Sequence, residues 1–90
     1  MYFVYILYSP TFDKFYIGQT NDMTNRLKRH NAGYESATNP YKPWLLKWIG
    51  EKPLRKEAVL LEKKLKNLSK ARLHLFIQKY GKEGAGSDEA

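Results

Sequence analysis

The chain has no cysteine, which excludes disulfides and thiolate metal sites and gives no reason to expect an oxidising compartment. Its longest apolar run, residues 3–7, is far too short to cross a bilayer. The N-terminus also lacks a basic region followed by an apolar segment and a cleavage site. We therefore expect a soluble cytoplasmic protein that does not associate with membranes.

Acidic residues are scarce relative to basic ones, with nine Asp and Glu against sixteen Lys and Arg and a net charge of +7. The imbalance is uneven, because residues 1–80 carry fifteen basic and six acidic residues, whereas residues 81–90 carry one and three. A basic surface of this density attracts polyanions and predicts salt-dependent binding to nucleic acid. The alternative is a solvated surface that only keeps a small protein in solution.

The length of 90 residues predicts one domain with a modest core. Residues 1–80 contain all the segments with strand or helix periodicity, so we assign the domain to them. Residues 81–90 are rich in glycine and acidic residues and lack large apolar side chains. This composition predicts a disordered acidic tail.

The order of the predicted elements is β-β-α-β-α-α, an α+β fold. Residues 2–8 are apolar on both alternating faces, as in a central strand, and residues 15–20 follow a turn, so an antiparallel hairpin is expected. A helix runs from an N-cap at Asn21 or Asp22 to Gly33, and a third strand covers residues 44–51. Two further helices are predicted, over residues 54–68 and from Ser69 to Gly81. The expected architecture is a three-stranded antiparallel sheet flanked by about three helices.

Five side chains in this arrangement have the chemistry of a phosphodiesterase site. Tyr5 and Tyr16 lie on adjacent strands, Arg26 and His30 share one helix face, and Glu62 lies at the margin of a buried helix stripe. A phenol, a guanidinium, an imidazole and a carboxylate can together hold a metal and a phosphodiester and direct water at phosphorus. Glu62 should be partly buried, where a carboxylate is costly unless it is paired or binds a cation.

Each of these residues also has a purely structural interpretation. Glu62 could form an i, i+4 ion pair with Lys66, which is common on helices of this composition. In a chain with seven tyrosines, one tyrosine alone is more often a packing residue. Arg26 alone could be a surface charge and His30 alone a helix C-terminal residue. The conjunction of all five in this order favours a catalytic site.

With these residues in place, the chain resembles the GIY-YIG nucleases, and most closely their short, single-domain bacterial members related to the nuclease module of nucleotide-excision repair. The resemblance covers nearly all of residues 2–80. It rests on Val4-Tyr5-Ile6, Tyr16-Ile17-Gly18, Gln19-Thr20, Arg26-x-x-x-His30-Asn31 and Ala58-x-x-x-Glu62-x-x-Leu65-Lys66. Val4 stands where the first triplet of the family has glycine, and we expect this change to alter strand packing more than activity.

The resemblance implies hydrolysis of a phosphodiester with a divalent metal, Mg²⁺ or Mn²⁺, for which Glu62 would be the sole protein ligand. It implies that Tyr16 deprotonates or orients the attacking water, and that Tyr5 assists it or contacts the phosphate. Arg26 would stabilise charge at phosphorus, and His30 would support the water, a tyrosine or the leaving oxygen. Either tyrosine could be the base, because a phenol with a pKa of ~10 needs nearby positive charge to act at neutral pH.

Substrate contacts are expected around this site. Exposed aromatic residues can stack on bases, and the candidates are Tyr34, Tyr41 and Trp44, although Trp44 is better explained as a core residue. Basic residues can contact phosphates without selecting a sequence. The candidates for phosphate contacts are Lys28, Arg29, Lys63, Lys64 and Lys66.

The leading hypothesis is a metal-dependent endonuclease that acts on DNA, branched or damaged DNA included, in repair or recombination. Without a recognition module, we expect structure selectivity or low specificity, which a protein partner could refine. One alternative is a nucleic-acid-binding module that keeps the fold but does not cleave. Another is a scaffold or toxin-like domain whose basic face meets an acidic protein. The sequence does not specify the preferred substrate, the choice between DNA and RNA, the metal, the oligomeric state or the pathway.

Overall fold

The computed structural model describes the backbone of residues 1–85 and the side chains of residues 1–81. The three strands are β1 (Tyr2–Ser9), β2 (Lys14–Thr20) and β3 (Leu45–Lys52), and a short 3₁₀ turn spans Asn39–Tyr41. The three helices are α1 (Met23–Ala32), α2 (Arg55–Lys66) and α3 (Lys70–Ala85). The predicted element order and the predicted α+β class are confirmed.

The strands form one antiparallel sheet in the order β2-β1-β3. β1 is therefore the central strand, as its apolar sequence on both faces predicts. Its pairing with β2 is regular, and its pairing with β3 shifts register between Ile6 and Leu7. β2 and β3 are the outer strands of this sheet, so β2 has one edge that no other described strand covers.

Alternation along β1 divides the interior into two clusters, one on each face of the sheet. Val4 and Ile6 belong to the larger cluster, which α2 and α3 cover with Ala58, Leu65 and Leu73. The smaller cluster lies on the opposite face, where Tyr5, Leu7 and Trp44 are buried and Met23 and Leu27 of α1 pack against them. Tyr5 is therefore held between the central strand and α1.

Both ends of α1 and the start of α3 follow the predicted capping residues. Asp22 is the N-cap of α1, and its carboxylate accepts a hydrogen bond of 3.1 Å from the Asn25 amide. Gly33 ends α1 in the left-handed region with φ of 87°, a conformation that glycine adopts without steric cost. Ser69 precedes α3, and its hydroxyl accepts a hydrogen bond of 3.2 Å from the Arg72 amide.

The start of β3 and the end of α3 differ from the predicted bounds of these elements. Trp44 precedes β3 instead of starting it, because its backbone amide donates to the Asn31 side chain at 2.6 Å, not to a neighbouring strand. Gly81 does not end α3, which continues to Ala85. Glycine is tolerated inside a helix at a modest energetic cost, so its presence alone does not fix a helix end. Residues 86–90, the second half of the predicted disordered tail, lie outside the described residues. In the described part of the chain, no helix is both long and apolar enough to cross a membrane.

Candidate active site

A buried hydrogen bond joins the first tyrosine triplet to α1. Tyr5 has no exposed surface and His30 is 1% exposed, and the Tyr5 Oη and His30 Nε2 atoms are 2.9 Å apart. Tyr5 reaches this position because it points from the central strand toward α1, and His30 because it lies on the inner side of the last turn of α1. The pairing explains how two polar side chains are buried without leaving either one unsatisfied.

The loop after α1 determines which imidazole nitrogen carries the proton. His30 Nδ1 lies 2.8 Å from the Thr38 hydroxyl, and that hydroxyl donates at 3.4 Å to the Glu35 carbonyl oxygen. Since a carbonyl only accepts, we assign the Thr38 oxygen as the acceptor of Nδ1–H, which makes Nε2 the acceptor for the Tyr5 hydroxyl. Burial lowers the pKa of His30, with Glu35 opposing this effect, so the imidazole is neutral at neutral pH.

Gly18 of the second triplet is required by this buried pair. It pairs directly with Tyr5 across the sheet, and a Cβ at Gly18 would lie 2.6 Å from Tyr5 Oη. Glycine is favoured where φ is positive or where another atom comes too close for a Cβ, and at Gly18 the second reason applies. The absence of a side chain at Gly18 is what allows the Tyr5 hydroxyl to lie where it meets His30.

Tyr16 lies over the buried pair and is only partly buried itself. Its ring centroid is 5.0 Å from that of His30 and 6.3 Å from that of Tyr5. Burial raises the pKa of Tyr5 far above its ordinary value, and the charge of Arg26 opposes this rise. Tyr16 is thus the tyrosine that solvent can reach, whereas Tyr5 is a protonated phenol directed at His30.

Glu62 lies across the sheet from the tyrosines, on α2. Its side chain is 17% exposed, as expected for the margin of the buried stripe. Gln19 donates to one carboxylate oxygen at 3.0 Å, and Lys66 contacts the other at 2.8 Å. The i, i+4 ion pair that the sequence left as an alternative is therefore formed, and Gln19 adds a second partner.

The outer edge of β2 brings the two sides of the site together. Tyr16 and Gln19 are three residues apart on this strand, so they point to opposite faces, toward α1 and α2 respectively. Glu62 raises the pKa of Lys66 through their hydrogen bond, and Tyr16 contributes to the same shift. The strand that carries Tyr16 on one face therefore carries, on its other face, the Gln19 side chain that contacts Glu62.

The chemistry of these donors fits a weakly liganded hard cation. No group of three or more His, Cys, Asp or Glu side chains that could hold a metal is present in the described part of the chain. Mg²⁺ is commonly held by one or two carboxylates, with water and substrate phosphate in its other positions, and the partly exposed Glu62 carboxylate suits that mode. Such an ion would compete with Lys66 for Glu62 Oε2.

The residues expected to contact substrate differ in their exposure and in whether they already have a partner. Lys28, Lys63 and Lys64 are exposed on α1 and α2, whereas Arg29 forms an ion pair of 2.9 Å with Glu35. Among the aromatic candidates, Tyr34 is 72% exposed and Tyr41 is partly buried. Trp44 is 3% exposed and its indole N–H donates to the Thr38 carbonyl at 2.9 Å, so its predicted core position is confirmed and it cannot stack on a base.

Thr38 is the residue of this region that the sequence did not single out. It has no exposed surface, and it contacts both His30 and Trp44. No periodicity marks a single threonine in a loop between a helix and a strand. Asn31, quoted in the sequence motif without a role, bonds the backbone amide and carbonyl of Trp44 at 2.6 and 3.1 Å and so fixes the path of this loop.

Comparison with known proteins agrees with the fold and with the order of these motifs. The model of the GIY-YIG catalytic domain matches residues 1–80. Among solved structures, the solution NMR structure of the UPF0213 protein BH0048 from Bacillus halodurans is similar, with 29% sequence identity and a TM-score of 0.58. The match covers 90% of this chain and 87% of that one. No curated protein matches the chain significantly. The chain belongs to the GIY-YIG catalytic domain family, a family of endonucleases.

Proposed function

We propose that this protein is a cytoplasmic, divalent-metal-dependent endonuclease that hydrolyses phosphodiester bonds in DNA during repair or recombination. The observation that carries the proposal is that β2 bears Tyr16 on the face covered by α1 and, through Gln19 at 3.0 Å, contacts the Glu62 carboxylate of α2. Family membership and the net charge of +7 support a nucleic-acid substrate.

In this proposal Glu62 holds the metal ion, with water and phosphate oxygens as the remaining ligands. A bound Mg²⁺ or Mn²⁺ supplies Lewis acidity at the phosphate and makes a coordinated water more acidic. Arg26 is partly buried on α1, beside the tyrosine pair, where its fixed positive charge can stabilise the additional negative charge on phosphorus oxygens in the transition state.

The two tyrosines take different roles in this proposal because their exposure differs. Tyr16 is partly exposed, so we assign it the contact with the attacking water or the phosphate. Tyr5 and His30 are buried and hydrogen-bonded to each other. We therefore assign them to positioning Tyr16 and to providing an uncharged surface beneath it.

One observation favours a second candidate, a module that binds nucleic acid without cleaving it. Glu62 already has both of its oxygens engaged by Gln19 and Lys66, so its partial burial is explained without a cation. A pure binder would use the exposed lysines of α1 and α2 in the same way as a nuclease. The two functions differ only in whether the Glu62 carboxylate is chemically required.

A cleavage assay with matched variants decides between them. Plasmid, branched and single-stranded DNA are incubated with Mg²⁺, Mn²⁺ or EDTA and the wild type, Glu62→Gln or Glu57→Gln. Glu62→Gln keeps the size of the side chain and a carbonyl acceptor for Gln19, but removes the charge that a metal needs. Glu57→Gln makes the same change at an exposed position on the same helix.

We expect metal-dependent strand scission by the wild type and Glu57→Gln, and none by Glu62→Gln, while all three bind DNA in EDTA. Binding by the wild type without any metal-dependent scission would reject the nuclease proposal and leave the binding module. Absence of both binding and scission would reject nucleic acid as the partner.

A further inference from the structure

An exposed aromatic residue lies at the tip of the β1–β2 hairpin, outside the residues used above. Phe12 is 48% exposed, and its ring meets that of Tyr41 edge to face, with centroids 5.5 Å apart and an interplanar angle of 80°. The ammonium group of Lys14 lies 4.7 Å from the centroid of the Tyr41 ring. We call Phe12, Lys14 and Tyr41 the hairpin aromatic patch.

The hairpin aromatic patch is continuous with the candidate active site. Lys14 and Tyr16 are two residues apart on β2, so their side chains point to the same face, about 7 Å apart along the strand. Tyr41 packs against the buried cluster of Tyr5, Leu7 and Trp44. The patch therefore extends the tyrosine face of the site toward the hairpin.

Its composition suits a nucleobase better than a protein side chain. A single exposed phenylalanine needs no explanation on a protein surface. Here, however, aromatic rings are combined with a lysine in a basic domain, beside a site for a phosphodiester. Aromatic faces that stack on bases, next to cations that track the backbone, are the means by which proteins bind single-stranded nucleic acid. Continuity with that site and charge complementarity identify DNA as the partner.

We propose that the hairpin aromatic patch stacks on an unpaired nucleobase of the DNA substrate, close to the phosphate held at Tyr16. This inference rests on the proposed function and specifies its substrate class. In a continuous duplex the bases stack on one another and cannot lie flat on Phe12. DNA with unpaired bases beside the cleaved bond, as in single strands, frayed ends and branches, is therefore the preferred substrate.

Binding measurements in EDTA test the patch separately from catalysis. The affinities for a single-stranded oligonucleotide and for a blunt duplex of the same length are measured with the full chain. The variants are Phe12→Ala, Phe12→Leu and Phe12→Tyr, and Leu75→Ala is the control. Phe12→Leu keeps an apolar side chain but removes the π face, and Phe12→Tyr keeps the π face. Leu75 is 62% exposed on α3, the helix that covers the opposite face of the sheet.

We expect Phe12→Ala and Phe12→Leu to weaken single-strand binding by about fivefold or more, as for the loss of one stacked base. Duplex binding should stay within about twofold, and Phe12→Tyr and Leu75→Ala should behave as the wild type. A fluorescent base analogue placed in the single strand should be quenched by the wild type and much less by Phe12→Leu.

Three outcomes would overturn the proposal. If Phe12→Ala binds the single strand as tightly as the wild type, the patch does not stack, and the nuclease proposal is untouched. If Phe12→Ala weakens single-strand and duplex binding equally, the patch does not select unpaired bases. If the wild type binds neither form of DNA, the patch proposal and the proposed function fall together.

Discussion

The substitution Gly18→Ala tests most directly how the second triplet supports the first. The added Cβ would lie 2.6 Å from Tyr5 Oη and 2.8 Å from the adjacent ring carbon, whereas ordinary contacts begin at 3.4 Å. One of the two must therefore move by about 0.8 Å. Tyr5 has no exposed surface, so a displacement of its hydroxyl strains or breaks its 2.9 Å bond to His30.

The cost can be judged from two contributions. Overpacking a well-packed interior costs roughly 1–3 kcal/mol. Leaving a buried hydroxyl and imidazole without their partner costs a further ~1–3 kcal/mol, although the two effects overlap because movement relieves the clash. We expect a loss of about 2–4 kcal/mol in the free energy of unfolding, a large part of the ~5–15 kcal/mol of a small domain. The melting temperature should fall by about 10 °C or more.

Urea and thermal unfolding, followed by circular dichroism, measure this loss. Gly81→Ala is the control, because the nearest described atoms to its Cβ would be the Ile77 Cγ2 atom at 3.3 Å and the Lys47 carbonyl oxygen at 3.4 Å. Gly81 lies within α3, where alanine is favoured by about 1 kcal/mol, so the control should be neutral or slightly stabilising. A surface substitution usually changes the free energy of unfolding by no more than ~0.5 kcal/mol. If Gly18→Ala changes it by no more than that, the close approach to Tyr5 does not constrain Gly18.

Three further outcomes follow from the same geometry. Thr38→Val removes the acceptor of the His30 Nδ1–H group and should lower the free energy of unfolding by ~1–3 kcal/mol. In ¹⁵N NMR spectra of the imidazole, the single Nδ1–H tautomer should be lost in Thr38→Val and restored in Thr38→Ser. An unchanged spectrum in Thr38→Val would contradict the assignment. Because burial lowers the pKa of His30, the unfolded chain binds the proton more readily, so stability should fall as the pH falls below the ordinary value of ~6.5. This loss should be smaller in His30→Gln than in the wild type, and equal losses between pH 7 and 5.5 would show that another group is responsible. Replacing Lys63 and Lys64 together by Gln should reduce the slope of log K for DNA binding against log salt by about two, whereas an unchanged slope would place the phosphates elsewhere.

The fold could be predicted largely because its signals are local. Alternation along residues 2–8, the Asp22 cap and Gly33 each specify a local conformation, and the structure has the corresponding strand and helix ends. The end of α3 could not be placed in this way. A glycine stops a helix only when the following chain has a better alternative to the helical conformation, and Gly81 does not indicate whether it has one.

The sequence indicates candidate residues for the site and some of their positions, but not their environments. The spacing of Arg26 and His30 indicates a shared helix face, and the stripe of α2 indicates partial burial of Glu62, which is observed at 17%. Sequence could not show that Tyr5 is completely enclosed while Tyr16 is partly exposed, because both occupy similar positions in their triplets. That difference arises from α1 and the loop around Thr38, which lie far along the chain.

The register of the hairpin places the glycine positions of the two triplets, residues 4 and 18, in different surroundings. Val4 pairs with Gln19, and Tyr5 with Gly18, so positions 4 and 18 lie on opposite faces of the sheet. Val4 is completely buried in the cluster covered by α2 and α3, against which Trp48 also packs, and its partner on β3 is Gly50. Gly18 instead faces the Tyr5 hydroxyl, where the nearest atom belongs to the buried hydrogen bond with His30. Valine in place of the family's glycine at position 4 is therefore a change in packing. A side chain at position 18 would instead displace Tyr5 and its hydrogen bond to His30.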